Sequence, residues 1–183
     1  MKKDIYKSIF AGMAIALGCW MYLAAPNAIV GAFLFSCGLL TVRIYKLNLF
    51  TGKIQFMVTK QYPWYFYLIV LLGNIVGVSL MALLAHNSAS AAIATTKMSQ
   101  PIWEAAIKGI GCGMLMSIAT YEKSPLWMCF PCVMGFILGG FNHCIADAYY
   151  MIAAGTIGFP LLGTIIGNIF GGVIFSNLIE PNI

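Results

Sequence analysis

Two interruptions in otherwise apolar sequence most constrain what this chain can fold into. One is Leu49-Phe-Thr-Gly-Lys53, and the other surrounds His143 in Gly135-Phe-Ile-Leu-Gly-Gly-Phe-Asn-His-Cys-Ile-Ala-Asp-Ala-Tyr-Tyr150. Backbone that leaves the helical path at membrane depth survives only where it is buried in protein or lines a wet cavity. Two broken hydrophobic segments in corresponding halves of a chain point to a transport site. An ionisable side chain such as His143 is costly at that depth and marks a substrate or proton path by default. These features imply a protein that moves something small through a bilayer.

Composition agrees. Hydrophobic residues make up 61% of the 183 positions and charged residues only 8%, against roughly 25% charged in a soluble domain. A soluble surface cannot be built from this sequence. The net charge of +5 is scattered, with no basic run interleaved with aromatics, so no nucleic-acid partner is implied. The six cysteines lie almost all in apolar segments and read as small core residues rather than a disulfide framework. Cys129-Phe-Pro-Cys132 has CxxC spacing but lacks the second half of a four-ligand set, so its spacing reads as coincidence. No cofactor is implied. Met1-Lys-Lys-Asp4 leads into an apolar segment with no small-residue cleavage site, which reads as a retained first span.

A bilayer core of about 30 Å needs roughly 20 apolar residues per helix. Six spans are expected: Ser8 to Ala25, Ala28 to Tyr45, Tyr65 to Ala85, Trp103 to Thr120, Leu126 to Phe141 and Gly158 to Leu178. Short helical pieces are expected after the breaks, near Thr51 to Val58 and Asp147 to Ala153. With alternating spans, Lys2, Lys3, Lys7, Lys60 and Lys123 share one side and Lys97 lies on the other. Both termini are therefore expected in the cytoplasm, with the chain multi-pass in the cell membrane. Trp64, Tyr65, Tyr67, Trp103 and Trp127 sit at span ends, as interfacial aromatics do.

An internal repeat is visible. Gly73-Asn-Ile-Val-Gly77 recurs as Gly167-Asn-Ile-Phe-Gly171, Ile5-Tyr6 before Gly12 recurs as Ile102-Trp103 before Gly109, and Phe35-Ser-Cys-Gly38 recurs as Phe136-Ile-Leu-Gly139. The order is shared and the offset runs from about 94 to 101 residues. The expected fold is an all-α membrane protein, with six transmembrane helices in a 3+3 inverted repeat and broken second and fifth helices. The chain forms one domain over residues 1–183, with half-repeats of about 1–90 and 95–183. The path then lies at the pseudo-symmetric interface.

Thr51 offers a hydroxyl at the first break, and His143 is the titratable group at the second. A structural reading stands beside the functional one: His143 could be a hydrogen-bonded core residue. Phe35, Leu39 and Phe136 could form an apolar ring on one side of it and Leu49 on the other, although such stripes at helical spacing are also what core packing produces. Lys97 is expected in a loop, either as a solvated charge or as a vestibule charge that attracts anions.

The same residues resemble the formate/nitrite transporter family, pentamers of six-span, aquaporin-like protomers. Leu49-Phe-Thr-Gly52 resembles the broken second helix, and Lys97 before Glu104 and Gly109-Ile110 resembles the vestibule lysine. Gly140-Phe-Asn-His-Cys-Ile-Ala-Asp147 resembles the signature G-F-E-H-S-x-A-N, and Gly167-Asn-Ile-Phe-Gly-Gly172 resembles the last-span G-N-I-I-G-G. The paired Asn-Pro-Ala motifs of aquaporins are absent. The resemblance implies a homopentamer in which Lys97 helps draw in a small monovalent anion such as formate, nitrite or hydrosulfide. It implies that Phe35, Leu39, Leu49 and Phe136 are constriction residues opposing the bare charge. It also implies that His143 donates a proton or holds the anion, that Thr51 and Asn168 hydrogen-bond His143 or the substrate, and that the Thr51 segment gates.

Three departures stand out. Asn142 replaces the family's glutamate, Asp147 its asparagine, and Gly113 the asparagine after Cys112. Asp147 is expected either to approach the imidazole, four residues away on a shared face, or to cap the following helix. The sequence thus implies a channel for a small monovalent anion or its conjugate acid. The alternative is a neutral-solute pore for water, ammonia or hydrogen sulfide with a structural histidine. A non-transporting assembly subunit is disfavoured by the full set of Thr51, Lys97, His143 and Asn168. An enzyme is not implied, because no nucleophile–base pair, metal cluster or phosphate loop has the needed spacing.

Overall fold

In a computed structural model, residues 1–84 and 88–179 are described, and all regular structure among them is helical. The elements are α1 (Lys2–Ala24), α2 (Ala28–Ile44), α3 (Phe50–Lys53), α4 (Trp64–Leu84), α5 (Ser90–Met98), α6 (Ile102–Thr120), α7 (Cys129–Leu138), α8 (Cys144–Ala153) and α9 (Pro160–Ile179). Short 3-10 turns follow α3 at Ile54–Met57 and precede α7 at Leu126–Met128. Among the described residues, α1, α4 and α6 are each long and apolar enough to cross a membrane, and the other apolar stretches, α9 over Pro160–Ser176 included, are shorter. Expected span ends agree within a few residues, except that α1 begins at Lys2 rather than Ser8; Ala85 lies outside the described residues, as do residues 180–183.

Four expectations are corrected. The fifth expected span does not run from Leu126 to Phe141 as one helix: the 3-10 turn occupies its start, and α7 stops at Leu138. Gly139 follows, then Gly140 at φ 70°, a left-handed turn that a side chain would strain. The piece after this break begins at Cys144, not near Asp147. Lys97 is not in a loop but in the last turn of α5, a short alanine- and threonine-rich helix. Tyr67 is buried rather than interfacial, packed edge-on against Tyr62 and Phe66, whereas Trp64, Tyr65, Trp103 and Trp127 are exposed.

The core pairs α1 with α4 and α6 with α9, and glycines set both approaches. A Cβ on Gly12 or Gly77 would overlap backbone of the partner helix at Asn74 or Ile9, and one on Gly167 or Gly171 would overlap Ala106 or Ile110. Close backbone approach is how apolar helices gain dispersion contacts where lipid supplies no hydrophobic drive. All six cysteines are free thiols, five of them buried.

Candidate functional site

Each half holds its break with one buried asparagine. In the first half, Asn74 Oδ1 accepts from Phe50 N at 2.8 Å, while its Nδ2 donates to Ser8 O at 2.7 Å and Asn48 O at 2.9 Å. In the second, Asn168 Oδ1 accepts from Cys144 N at 2.9 Å, while its Nδ2 donates to Gly109 O at 2.9 Å and Asn142 O at 2.8 Å. The amide supplies one acceptor and two donors, the set that a helix start and two stray carbonyls lack. Asn168 was expected to bond His143 or substrate, but its hydrogen bonds go to backbone, so it shapes the break. Asn74, its counterpart, was missed as a site residue although it lies in the recognised repeat.

By this correspondence His143 occupies the position that Leu49 holds in the first half. Leu49 is the N-cap of α3 at φ −94°, ψ 129°, and His143 the N-cap of α8 at φ −111°, ψ 112°, the same extended backbone. Only His143 caps with its side chain: Nδ1 accepts from Ala146 N at 3.2 Å. A nitrogen that accepts carries no proton, so the ring's proton sits on Nε2. That Nε2–H donates to Thr51 Oγ1 at 2.9 Å. Both breaks therefore meet in one hydrogen bond, and Thr51 and His143 are both buried.

The aromatic residues expected at a constriction assemble around this pair. Phe136 stacks on the imidazole with ring centroids 5.4 Å apart, and Phe35 meets Phe136 edge-on at 5.6 Å. Phe35, Phe136 and His143 border a cavity of about 270 Å³, which Lys97, Asp147 and Tyr150 also line. Leu49 and Gly52 border a second cavity of about 430 Å³ on the side of the N-terminus. Leu39 is fully buried in the core and lines neither of these two cavities.

Asp147 bonds neither expected partner: its oxygens meet Lys97 and Thr164 rather than the imidazole, and His143 rather than Asp147 caps α8. Its Oδ1 lies 3.5 Å from Lys97 Nζ, and its Oδ2 accepts from Thr164 Oγ1 at 3.4 Å. Lys97 Nζ also donates to Asn142 Oδ1 at 2.5 Å and Phe141 O at 3.4 Å. Asn142 Nδ2 donates in turn to Gln100 Oε1 at 2.7 Å and Thr164 Oγ1 at 3.3 Å. The Lys97 side chain keeps only 15% of its surface exposed, so it is an internal charge rather than a solvated one. Thr164 and Gln100 were missed because neither residue type at those spacings carries a motif. Gly113 has a packing role: a Cβ there would overlap the Asn168 carbonyl.

The model of the family described as formate/nitrite transporter matches residues 1–180. Among solved structures, one described as an FNT family ion channel superposes with TM-score 0.82 at 22% identity, covering 96% of this chain and 88% of that one. A pentameric formate channel with formate bound superposes with TM-score 0.80 at 20% identity, covering 97% of this chain and 94% of that one. No curated protein matches the chain. The family match over nearly its whole length identifies this chain, a helical membrane protein with a channel fold, as a member of the formate/nitrite transporter family.

Proposed function

We propose that the protein is a channel for a small monovalent anion of a weak acid, of the formate, nitrite or hydrosulfide class, with passage linked to protonation near His143. The observation that carries this reading is the Thr51–His143 hydrogen bond of 2.9 Å, formed where both breaks meet beside Phe35 and Phe136. Thr51 accepts there, and among the described residues its own hydroxyl hydrogen has no other acceptor, so it can be offered to a substrate oxygen. Phe136 and Phe35 put apolar rings beside the pair, and in this reading Leu39 and Leu49 complete the constriction. Stripping water from an anion in such a slit is expensive, and a proton gained on the way removes that cost. Lys97 borders the approach from the α5 side.

The architecture goes with this reading: six spans in a 3+3 inverted repeat within a single domain, α2 with α3 and α7 with α8 each forming one broken span. The matching Asn74 and Asn168 hydrogen bonds support it. We infer a homopentamer in the cell membrane with both termini cytoplasmic and no enzymatic activity, supported by the family match and by the pentameric relative.

One observation favours a second reading, a neutral-solute pore. Both imidazole nitrogens of His143 are occupied, Nδ1 as a helix cap and Nε2 by Thr51, which suits a structural histidine. Formate uptake into proteoliposomes separates the two. Flux that rises with an inward proton gradient and collapses in His143→Ala supports the weak-acid channel. Reconstituted protein that carries water or ammonia, but none of formate, nitrite or hydrosulfide, overturns it.

A further inference from the structure

The two cavities differ in how their charges are balanced. On the α5 side each lysine has its own carboxylate: Lys97 pairs with Asp147 at 3.5 Å and Lys108 with Glu104 at 2.7 Å. On the N-terminal side, Arg43, Lys46 and Lys53 line the cavity against one carboxylate, Glu122. Arg43 is held in place by carbonyls, donating to Ala119 O at 2.7 Å, Ser124 O at 2.8 Å and Tyr121 O at 3.2 Å. Neutral carbonyls fix the guanidinium without cancelling its charge.

Lys53 is the notable member. It follows the Thr51 turn directly and is only partly exposed. Its Nζ rests 5.8 Å from the Phe56 ring centroid and 5.4 Å from that of Tyr62. Among the described residues no carboxylate lies within ion-pair distance of it. Ring faces steady an ammonium without pairing it, and Glu122, the one carboxylate lining the cavity, offsets only part of the charge of the three cations there. A cleft lined by one sign of charge and walled by apolar surface raises the local concentration of counter-ions.

We propose that Lys53, assisted by Lys46, is the anion-collecting group of this protein, so that a small monovalent oxyanion gathers on the N-terminal side of the constriction. Lys97, neutralised by Asp147, then adds little net attraction on the other side. The inference rests on the channel reading above but assigns a residue and a sidedness that it does not contain.

A passive pore must show equal low-concentration permeability from both faces, so the asymmetry appears in the half-saturating concentration. Vesicles holding the purified protein are sorted by protease access to an N-terminal tag, and initial formate flux is measured from each face. The wild type should half-saturate at lower formate from the Lys53 face. Lys53→Gln should raise that value about fivefold at low salt, the effect of one unit charge at contact distance in water, and much less at about 1 M salt, where the screening length is about 3 Å. Lys53→Arg should retain the wild-type value, which shows that the charge and not the packing matters. Equal half-saturation from both faces, or no change in Lys53→Gln, overturns the proposal. Broadening of the carbon-13 signal of labelled formate by the detergent-purified protein reads the same site without flux. Broadening reduced several-fold in Lys53→Gln upholds the site even if no anion is carried, whereas undiminished broadening in the variant overturns it.

Discussion

Thr51 and His143 stand 92 residues apart in the chain, yet Oγ1 and Nε2 meet at 2.9 Å. The direction of this bond is set elsewhere, by Ala146 N donating to Nδ1. With Nδ1 an acceptor, Nε2 donates to Thr51, which leaves the Thr51 hydroxyl hydrogen free of this bond. A second proton on the ring must displace the cap of α8. Protonation and the shape of the break are therefore linked at one residue.

Thr51→Val keeps the side-chain shape and removes the only acceptor for a buried N–H, a loss of about 1–3 kcal/mol. Formate flux in proteoliposomes should fall by an order of magnitude or more, while Thr51→Ser retains most of it. Equal flux in Thr51→Val and wild type would show that the hydroxyl takes no part.

Lys97 and Asp147 should behave as one unit. Lys97→Met leaves a buried carboxylate without its cation, a loss of about 3–5 kcal/mol, visible as a lower unfolding temperature in detergent. The double variant Lys97→Met with Asp147→Asn should recover most of that loss. A double variant no more stable than Lys97→Met would mean that the two charges do not depend on each other.

Asn74→Ala and Asn168→Ala remove equivalent sets of three hydrogen bonds. Each should destabilise the protein by about 2–5 kcal/mol, because buried backbone groups are left unpaired. Thermal unfolding of the purified variants should give similar losses, and a large difference would contradict the equivalence of the two breaks.

Gly113→Ala tests whether that departure belongs to the path or to packing. A Cβ there meets the Asn168 carbonyl, so α6 and α9 must separate, at a cost of about 1–3 kcal/mol. Reduced thermal stability is expected. Full stability with altered anion preference would return Gly113 to the path.

The sequence by itself determined what is local or periodic. Apolar runs placed α1, α4 and α6, and the polar groups Thr51 and His143 marked the neighbourhoods of the two breaks, whereas the expected fifth span ran straight through the Gly139-Gly140 turn. The repeated Gly-Asn-Ile pattern contained Asn74 and Asn168 before their shared task was visible. Thr51 and His143 were legible because polar groups are rare and costly in such segments. Only the tertiary structure decided what each polar group meets. It turned Asn168 onto backbone, made His143 the cap of α8, drew Lys97 from its expected loop onto Asp147, and left Lys53 against Phe56 and Tyr62. Helical periodicity and hydropathy depend on neighbours a few residues away. A buried donor or charge is satisfied by groups dozens of residues distant, and only packing of the helices fixes which of these lies within reach.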